Sequence, residues 1–442
     1  MESFFYAVVT VVPMLGVLIL VHEFGHFAAA KLFGVRVEVF SIGFGKRLCG
    51  FRVGETDYRI SALPFGGYVK MTGENPSDEH TGGTEEFVSH PRWQRLIIAL
   101  AGPFMNAVLA IALLTGVFMV HYEHDLYLDQ PAVIGWVMPN SAAAKAGIEP
   151  GDRIVEINHI QNPDWDDVRN KVLINANQTI HLVIDRNGER LTKTITPELV
   201  GQEGVGDAGL VPQQPLTVTI LEDNMPGHKV LQLGDEIVGV DGMTVRSTAA
   251  LRDHLQQTKD KTVTLAVVRH GQQLSIPVKP AFDSERNEYR IGFGSNPQHV
   301  DKLPFAEAFQ RSMDQNKKNS LLIVEIMKKL VERKVSIKQM SGPIGIARVS
   351  GEIVRQDGFT SLLAFMSLIS INLAIFNLLP IPILDGGLVL LLLIEALMRR
   401  DINEAIKLRI YQAAAVCLMI FASLVIFNDV MKLLPGLARH LQ

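Results

Sequence analysis

The chain reads as a polytopic α-helical membrane protein with four transmembrane helices, a loop region of β character on the cytoplasmic side, and a repeated strand-rich region on the outer side. Three observations predict it. Four apolar stretches each reach the ~18 residues needed to cross a hydrocarbon core of ~30 Å. Lys and Arg collect in two short loops. The long region between the second and third stretches repeats itself at a fixed offset.

The apolar stretches are residues 4–32, 96–120, 359–394 and 411–428. The third is interrupted only by Asp385. The opening MESFF has no Lys or Arg ahead of its apolar run, so that run is expected to be a retained span rather than a signal peptide. Lys46, Arg47, Arg52, Arg59, Lys70, Arg92 and Arg95 mark the first loop as cytoplasmic. Arg399, Arg400, Lys407 and Arg409 do the same for the last. The long middle region then falls outside.

In that region GDRIVEIN (151–158) aligns with GDEIVGVD (234–241), an offset of 83 positions. Arg186 and Gly188 match Arg269 and Gly271 at the same offset, Pro197 matches Pro280, and AGL (208–210) matches IGF (291–293). Alternating runs such as IHLVI and VTLAVV make each copy a small strand-rich domain. Helices fit at DWDDVRNKVLINA and STAALRDHLQQT, the latter with Ser247 or Thr248 as N-cap. Residues 304–333 read as an amphipathic helix, either on the outer leaflet or packed on the protein, and lead to SGPIGIA.

Composition sets limits on function. The net charge of −4 gives no basic footprint, so no nucleic acid is expected as partner. The only cysteines, Cys49 in a polar loop and Cys417 in an apolar run, form no disulfide framework. His121 and His124 stand three residues apart at the outer end of the second stretch but have no evident third ligand, and His159, His181, His228, His254 and His270 lack the spacing of ligands.

The first apolar stretch contains VHEFGHFAAA (21–30). Ionisable groups at bilayer depth are costly and point to function. On a helix, His22 and His26 stand one turn apart and can reach one Zn²⁺, with Glu23 beside them as general base. Catalytic zinc needs a third protein ligand and an open position. Asp385, in NLLPIPILDGG (377–387), is the only carboxylate in the other long stretch. An unbroken helix over 359–394 would be ~50 Å long, so it must break or overrun. Pro380, Pro382 and Gly386–Gly387 mark the break, and an extended piece there brings Asp385 toward the depth of His22.

HEFGH, AGPFMN (101–106) and NLLPIPILDGG together resemble the site-2 protease family of intramembrane zinc metalloproteases over nearly the whole chain. The resemblance implies that His22, His26 and Asp385 bind Zn²⁺ and that Glu23 is catalytic. It places Asn377, Pro380 and Pro382 at the substrate, although Asn377 could equally end a helix. Asn106 is read as interhelical packing rather than catalysis. The region VRVEVFSIGFG to DYRISALPFGGYVKM resembles a membrane-associated β-sheet beside the active site, able to hold an extended substrate at its edge. The two repeats resemble circularly permuted PDZ domains, with DAGLVP and RIGFGS as carboxylate-binding loops, acting as a size filter or as a grip on freshly exposed C-termini.

The expected domains follow. Residues 1–33 form the first transmembrane helix, 34–94 the β region and 95–120 the second helix. PDZ domains occupy 126–213 and 214–299, and an amphipathic region 300–357. The third transmembrane region is 358–397 and the fourth helix 410–430. The expected activity is hydrolysis of a peptide bond within the span of single-pass membrane proteins after ectodomain trimming. Anti-sigma factors and remnant signal peptides are the implied substrates, and a bacterial inner membrane the implied location. A catalytically silent PDZ scaffold and an intramembrane transporter are the alternatives.

Overall fold

A computed structural model describes residues 2–74, 82–125, 127–128, 130–201, 205–295, 298–334, 342–356 and 358–433. Residue 126, where the first repeat was expected to begin, and Ser341 of SGPIGIA lie outside the described residues. So do 335–340 and 357 of the expected amphipathic region. The chain divides into two units, residues 1–121 with 302–442, and residues 122–301.

The first unit opens with helix α1 (Glu2–Phe33). It stops at Gly34, which takes φ 80° and lets Val35 N–H reach back to Ala30 O at 2.9 Å. Glycine suits this reversal because it has no Cβ to clash. Strands β1 (Val37–Val53) and β2 (Thr56–Met71) follow as one antiparallel hairpin. Both strands fold back on themselves. Residues 39–42 lie between 67–70 on one side and 57–60 on the other, and 57–60 pair onward with 49–52. Residues 67–70 are therefore an edge. The hairpin exposes Phe44, Leu48, Phe51, Val53 and Leu63, an apolar display that marks a membrane or binding face. Helix α2 (Arg92–Val120) closes this half and runs through Pro103.

The second unit is built from the two repeats. Helices α3 (Ala142–Lys145) and α4 (Trp165–Ile174) belong to the first. Its four-stranded sheet runs 160–161, 153–157, 180–186, 189–195. Helix α5 (Thr248–Thr258) belongs to the second, whose sheet runs 243–244, 236–240, 263–269, 272–278. The offset of 83 carries through the registers: Ile154 faces Ile184 as Ile237 faces Val267. It carries through the cores as well. Ile157, Leu182 and Val168 of one correspond to Val240, Leu265 and Leu251 of the other, all buried. Asn187–Gly188 and His270–Gly271 make two-residue hairpin turns with positive φ at both positions, which the right-handed twist of the strands favours. Asp164 caps α4 in a capping box with Asp167, and Ser247 rather than Thr248 caps α5.

The first unit resumes with α6 (Phe305–Val331), α7 (Pro343–Gln356), α8 (Gly358–Asn377), α9 (Asp385–Met398) and α10 (Glu404–Leu433). Among the described residues, four helical segments are long and apolar enough to cross a membrane: Val9–Phe33, Arg92–Val120, Gly358–Asn377 and Glu404–Lys432. Val11, Met14 and Leu18 of α1 pack on Leu362, Met366 and Ile369 of α8. Small hydroxyls join α8 to α2: Ser367 Oγ donates to Ala110 O and Ser370 Oγ to Asn106 O, both at 2.7 Å. Helix α6 packs by its Ala308, Asn316 and Ile323 face, and Ser312 Oγ donates to Ile111 O of α2 at 2.9 Å. It is therefore a packing helix that still exposes Phe305, Phe309 and Met313.

Helix α10 buries the smallest share of the four. Polar clasps hold it at both ends. Buried Asp429 accepts from the N–H groups of Gly342, Ile344 and Gly345 at the start of α7, at 2.9, 3.1 and 3.0 Å. Lys407 pairs with buried Glu395 of α9 at 2.6 Å.

Candidate metal centre

His22 and His26 leave the same face of α1, and their Nε2 atoms are 3.2 Å apart. The Asp385 carboxylate lies against both. Oδ2 is 3.2 Å from His22 Nε2 and Oδ1 is 3.3 Å from His26 Nε2. Both rings are more than nine-tenths buried.

The carboxylate arrives there because the third apolar stretch breaks at its prolines, while Gly386 and Gly387, expected in the break, lie in the first turn of the next helix. Helix α8 ends at Asn377, and α9 starts at Asp385 itself. The loop between is tight. A Cβ on Gly386 would overlap Leu378 O, and one on Gly387 would overlap Ile381 O, so no side chain fits at either position. Ile383 is driven to φ 96°, a costly conformation for a β-branched residue of the kind that clusters at functional sites.

Helix α2 supplies the space for the rings. A Cβ on Gly102 would overlap His26 Nε2, and one on Gly25 would overlap Ala101 O. Two glycines thus let α1 and α2 approach with both imidazoles between them. Nothing in one strand of sequence marks Gly102 as the residue that makes this room, and the reading of AGPFMN missed it. His26 Nδ1 donates to Ile98 O at 2.8 Å, which directs the Nε2 lone pair toward the centre. Asn106 lies 3.2 Å from His22 Nδ1. Asn377 Nδ2 lies 3.2 Å from His22 Nε2, so the last residue of α8 both ends its helix and faces the centre.

The donor set can be tested against a cation. Ligands at ~2.0–2.1 Å from a tetrahedral Zn²⁺ stand about 3.3 Å from one another. The separations here are 3.2, 3.2 and 3.3 Å. One donor atom from each residue lies within 4.8 Å of the others. Two lone-pair nitrogens and a carboxylate so close together repel unless a cation or an added proton lies among them. The set fits zinc.

A cavity of about 460 Å³ opens onto the centre. Glu23 lines it beside the edge residues Gly67, Tyr68 and Val69. At Gly67 the hairpin backbone comes so near α1 that a Cβ would sit 3.4 Å from Glu23 Cγ and 2.8 Å from Ser41 O. Glu74, just beyond β2, lines the same cavity, and burial pushes its carboxyl up to about 7. Its place in a polar loop hid it from sequence reasoning. Pro380 and Pro382 lie in the loop between α8 and α9 and are not among the residues lining the cavity.

An HExxH helix whose imidazoles meet a distant carboxylate beside an open cavity defines a metallopeptidase. The chain belongs to peptidase family M50, the site-2 protease family, whose model matches residues 10–421, and it is a zinc metalloprotease. It is similar to the regulator of sigma-E protease RseP of Escherichia coli, 32% identical over 98% of this chain and 100% of that one. The counterpart in Salmonella typhimurium is 33% identical and protease RseP of Yersinia pestis 32%, each over 98% of this chain and 100% of its own. Among solved structures, the PDZ domain of an SdrC-like protein from Listeria monocytogenes covers 19% of this chain and 90% of its own at 24% identity, with a TM-score of 0.18.

Proposed function

We propose that the protein is an intramembrane zinc endopeptidase that cuts within the span of single-pass membrane proteins. The observation that carries this is the meeting of Asp385, at the start of α9, with His22 and His26 at the spacing of a tetrahedral zinc site, the two histidines standing on a helix apolar enough to cross a membrane. Zn²⁺, when bound, supplies a Lewis acid for the scissile carbonyl and lowers the pKa of water toward ~7.

The chain's own groups do the rest. Glu23 accepts the proton released by the attacking water and returns it to the leaving amine. Asn377 donates its amide to the carbonyl oxygen as negative charge develops there. Pro380 and Pro382 fix the tight turns of the 378–384 loop beside the substrate. A helical span hides its peptide bonds in its own hydrogen bonds, so cleavage requires local unwinding. The 67–70 edge of the hairpin lies beside Glu23 and takes the unwound segment as an added strand. The apolar side chains of the hairpin keep it at the membrane surface.

The two repeats in 122–301 act as PDZ domains on the outer side and screen out substrates with large ectodomains. The protein resides in a bacterial inner membrane with its active site toward the cytoplasm. Its substrates are anti-sigma factors already trimmed by another protease, and remnant signal peptides. The likeness to relatives named for sigma-E regulation supports this class.

The test is a tagged single-span substrate expressed with wild type and with Glu23→Gln. Cleavage is expected only with wild type, while both proteins retain one zinc. Equal substrate loss with both would remove the protease reading, and absence of zinc from wild type would favour a PDZ scaffold.

A further inference from the structure

We propose that Asn106 is a positioning residue for the metal site: its side-chain oxygen accepts the Nδ1 proton of His22 and so turns the lone pair of His22 Nε2 toward the cation. The inference rests on the reading of His22, His26 and Asp385 as a zinc site.

A neutral imidazole carries one proton, and it binds a metal only through the nitrogen that lacks it. Both histidines present Nε2 to the centre, so both need their proton on Nδ1. His26 is served by Ile98 O at 2.8 Å. That acceptor is backbone and cannot be lost by substitution. His22 has no backbone acceptor at its Nδ1 among the described hydrogen bonds. What stands there is the Asn106 amide at 3.2 Å.

In this structure the amide nitrogen faces the ring, and Oδ1 is buried without a partner. With the nitrogen inward, Asn106 would donate to His22 Nδ1 and force the proton onto Nε2, where the cation must be. Oxygen and nitrogen of an amide have nearly the same shape, and their assignment is set by the hydrogen bonds they make. Turning the amide over places Oδ1 against His22 Nδ1 as an acceptor, and His22 gains the tautomer its partner already has.

The backbone around Asn106 is fixed for this task. Ser370 Oγ donates to Asn106 O at 2.7 Å, which ties α8 to α2 at this turn. The side chain is 1% exposed and sits on the same face of α2 as Gly102, one turn away, which makes room for the rings. An amide kept only as interhelical glue would bond a neighbouring helix through both of its ends. This one has its ring-facing edge on a metal ligand and nothing else.

The experiment measures zinc affinity of the full-length protein in detergent by competition with a chromophoric chelator, with thermal melting of the zinc-free proteins alongside. Asn106→Ala and Asn106→Leu remove the acceptor and are expected to weaken zinc by about 10–100-fold, the usual effect of losing a partner to a metal-bound histidine. Asn106→Asp keeps an acceptor oxygen and removes the amide donor. It is expected to hold zinc at least as tightly as wild type. Wild-type affinity in Asn106→Ala or Asn106→Leu would overturn the proposal, and so would a folded Asn106→Asp that loses zinc as they do. His26→Ala separates the two readings. If wild type takes up no zinc, or His26→Ala binds it as well as wild type, the zinc site itself fails and this inference with it. If only the Asn106 series is flat, the zinc site stands and the positioning role falls.

Discussion

Asp235 of the second repeat and Asp385 at the start of α9 are both carboxylates held between two nitrogens, and the kind of nitrogen separates their roles. Asp235 meets Arg269 Nε and Nη2, each at 2.7 Å, and accepts Gln232 N–H at 2.8 Å. Asp152 repeats the arrangement with Arg186 and Glu149 N–H in the first copy. Every partner is a donor, so the account of protons closes without any further group. Asp385 meets two imidazole nitrogens, and His26 has already given its proton to Ile98. With both imidazoles neutral and their protons on Nδ1, acceptors face acceptors there, and a cation completes the account. Buried polar groups that satisfy one another hold a fold together. Buried polar groups that cannot do so mark the place where something else binds.

The comparison breaks most sharply if the cation is not needed. Asp385→Ala should remove zinc from the purified protein and reduce cleavage of a single-span substrate to background. Glu23→Gln should reduce cleavage by about 10²–10⁴-fold, the range for loss of a general base, yet leave zinc bound. Metal analysis beside a cleavage assay reads both. A loss of zinc in Glu23→Gln would mean that Glu23 belongs to the donor set rather than to the proton-transfer step.

Gly102→Ala is a subtler test, because it removes no donor. The added methyl group needs the space of His26 Nε2. Zinc affinity should fall about tenfold or more, as when a metal ligand loses its orientation. Unchanged zinc affinity would show that α1 and α2 separate easily at this crossing.

Gly102 also shows where sequence reasoning stops. HEFGH was legible because helix periodicity is local, and two residues four apart share a face whatever surrounds them. Asp385 was legible because a carboxylate in an apolar stretch has few bland explanations. The break after Asn377 could be read from Pro380 and Pro382, since each limits the backbone by itself. The offset of 83 was legible because repetition needs no knowledge of the fold, and the Arg186 and Arg269 positions it flagged turned out to clasp Asp152 and Asp235. Gly102, Gly67 and Glu74 were not legible. Their meaning lies in distances between segments far apart in the chain, and a small side chain says nothing about what it makes room for. Likewise Lys407 entered the reading as a loop cation, whereas it pairs with Glu395 at 2.6 Å.

The repeat side of the comparison yields a smaller effect. Asp235→Asn places an amide nitrogen among donors and removes the charge that holds Arg269. The expected loss is about 1–3 kcal/mol, the cost of unsatisfied buried hydrogen-bonding groups. For a unit of this size that corresponds to a melting temperature lower by roughly 3–10 °C. Fluorescence of Trp136 and Trp165 in a Trp93→Phe background reports on this unit, since those two tryptophans lie in it. Zinc content should not change. Zinc loss at full occupancy of the folded first unit would show that the two kinds of carboxylate are not independent.

The smallest effect is in acid. The Arg269 hydrogen bonds hold the Asp235 carboxyl below its ordinary range in the folded protein. A carboxylate with a lowered folded pKa contributes stability above its unfolded pKa of ~3.9 and loses it as pH falls through the folded value. Wild type should therefore lose melting temperature between about pH 5 and pH 3 more steeply than Asp235→Asn, which has no such proton to gain. Asp241 and Asp283 are lowered as well, by Thr264 N–H and by Arg290, and they titrate in both proteins. Their contributions cancel in the difference, and what remains belongs to the Asp235 clasp. Parallel acid profiles for the two proteins would mean that the guanidinium holds Asp235 no more tightly than water does, and the closed proton account drawn for the repeats would fail at its best-formed example.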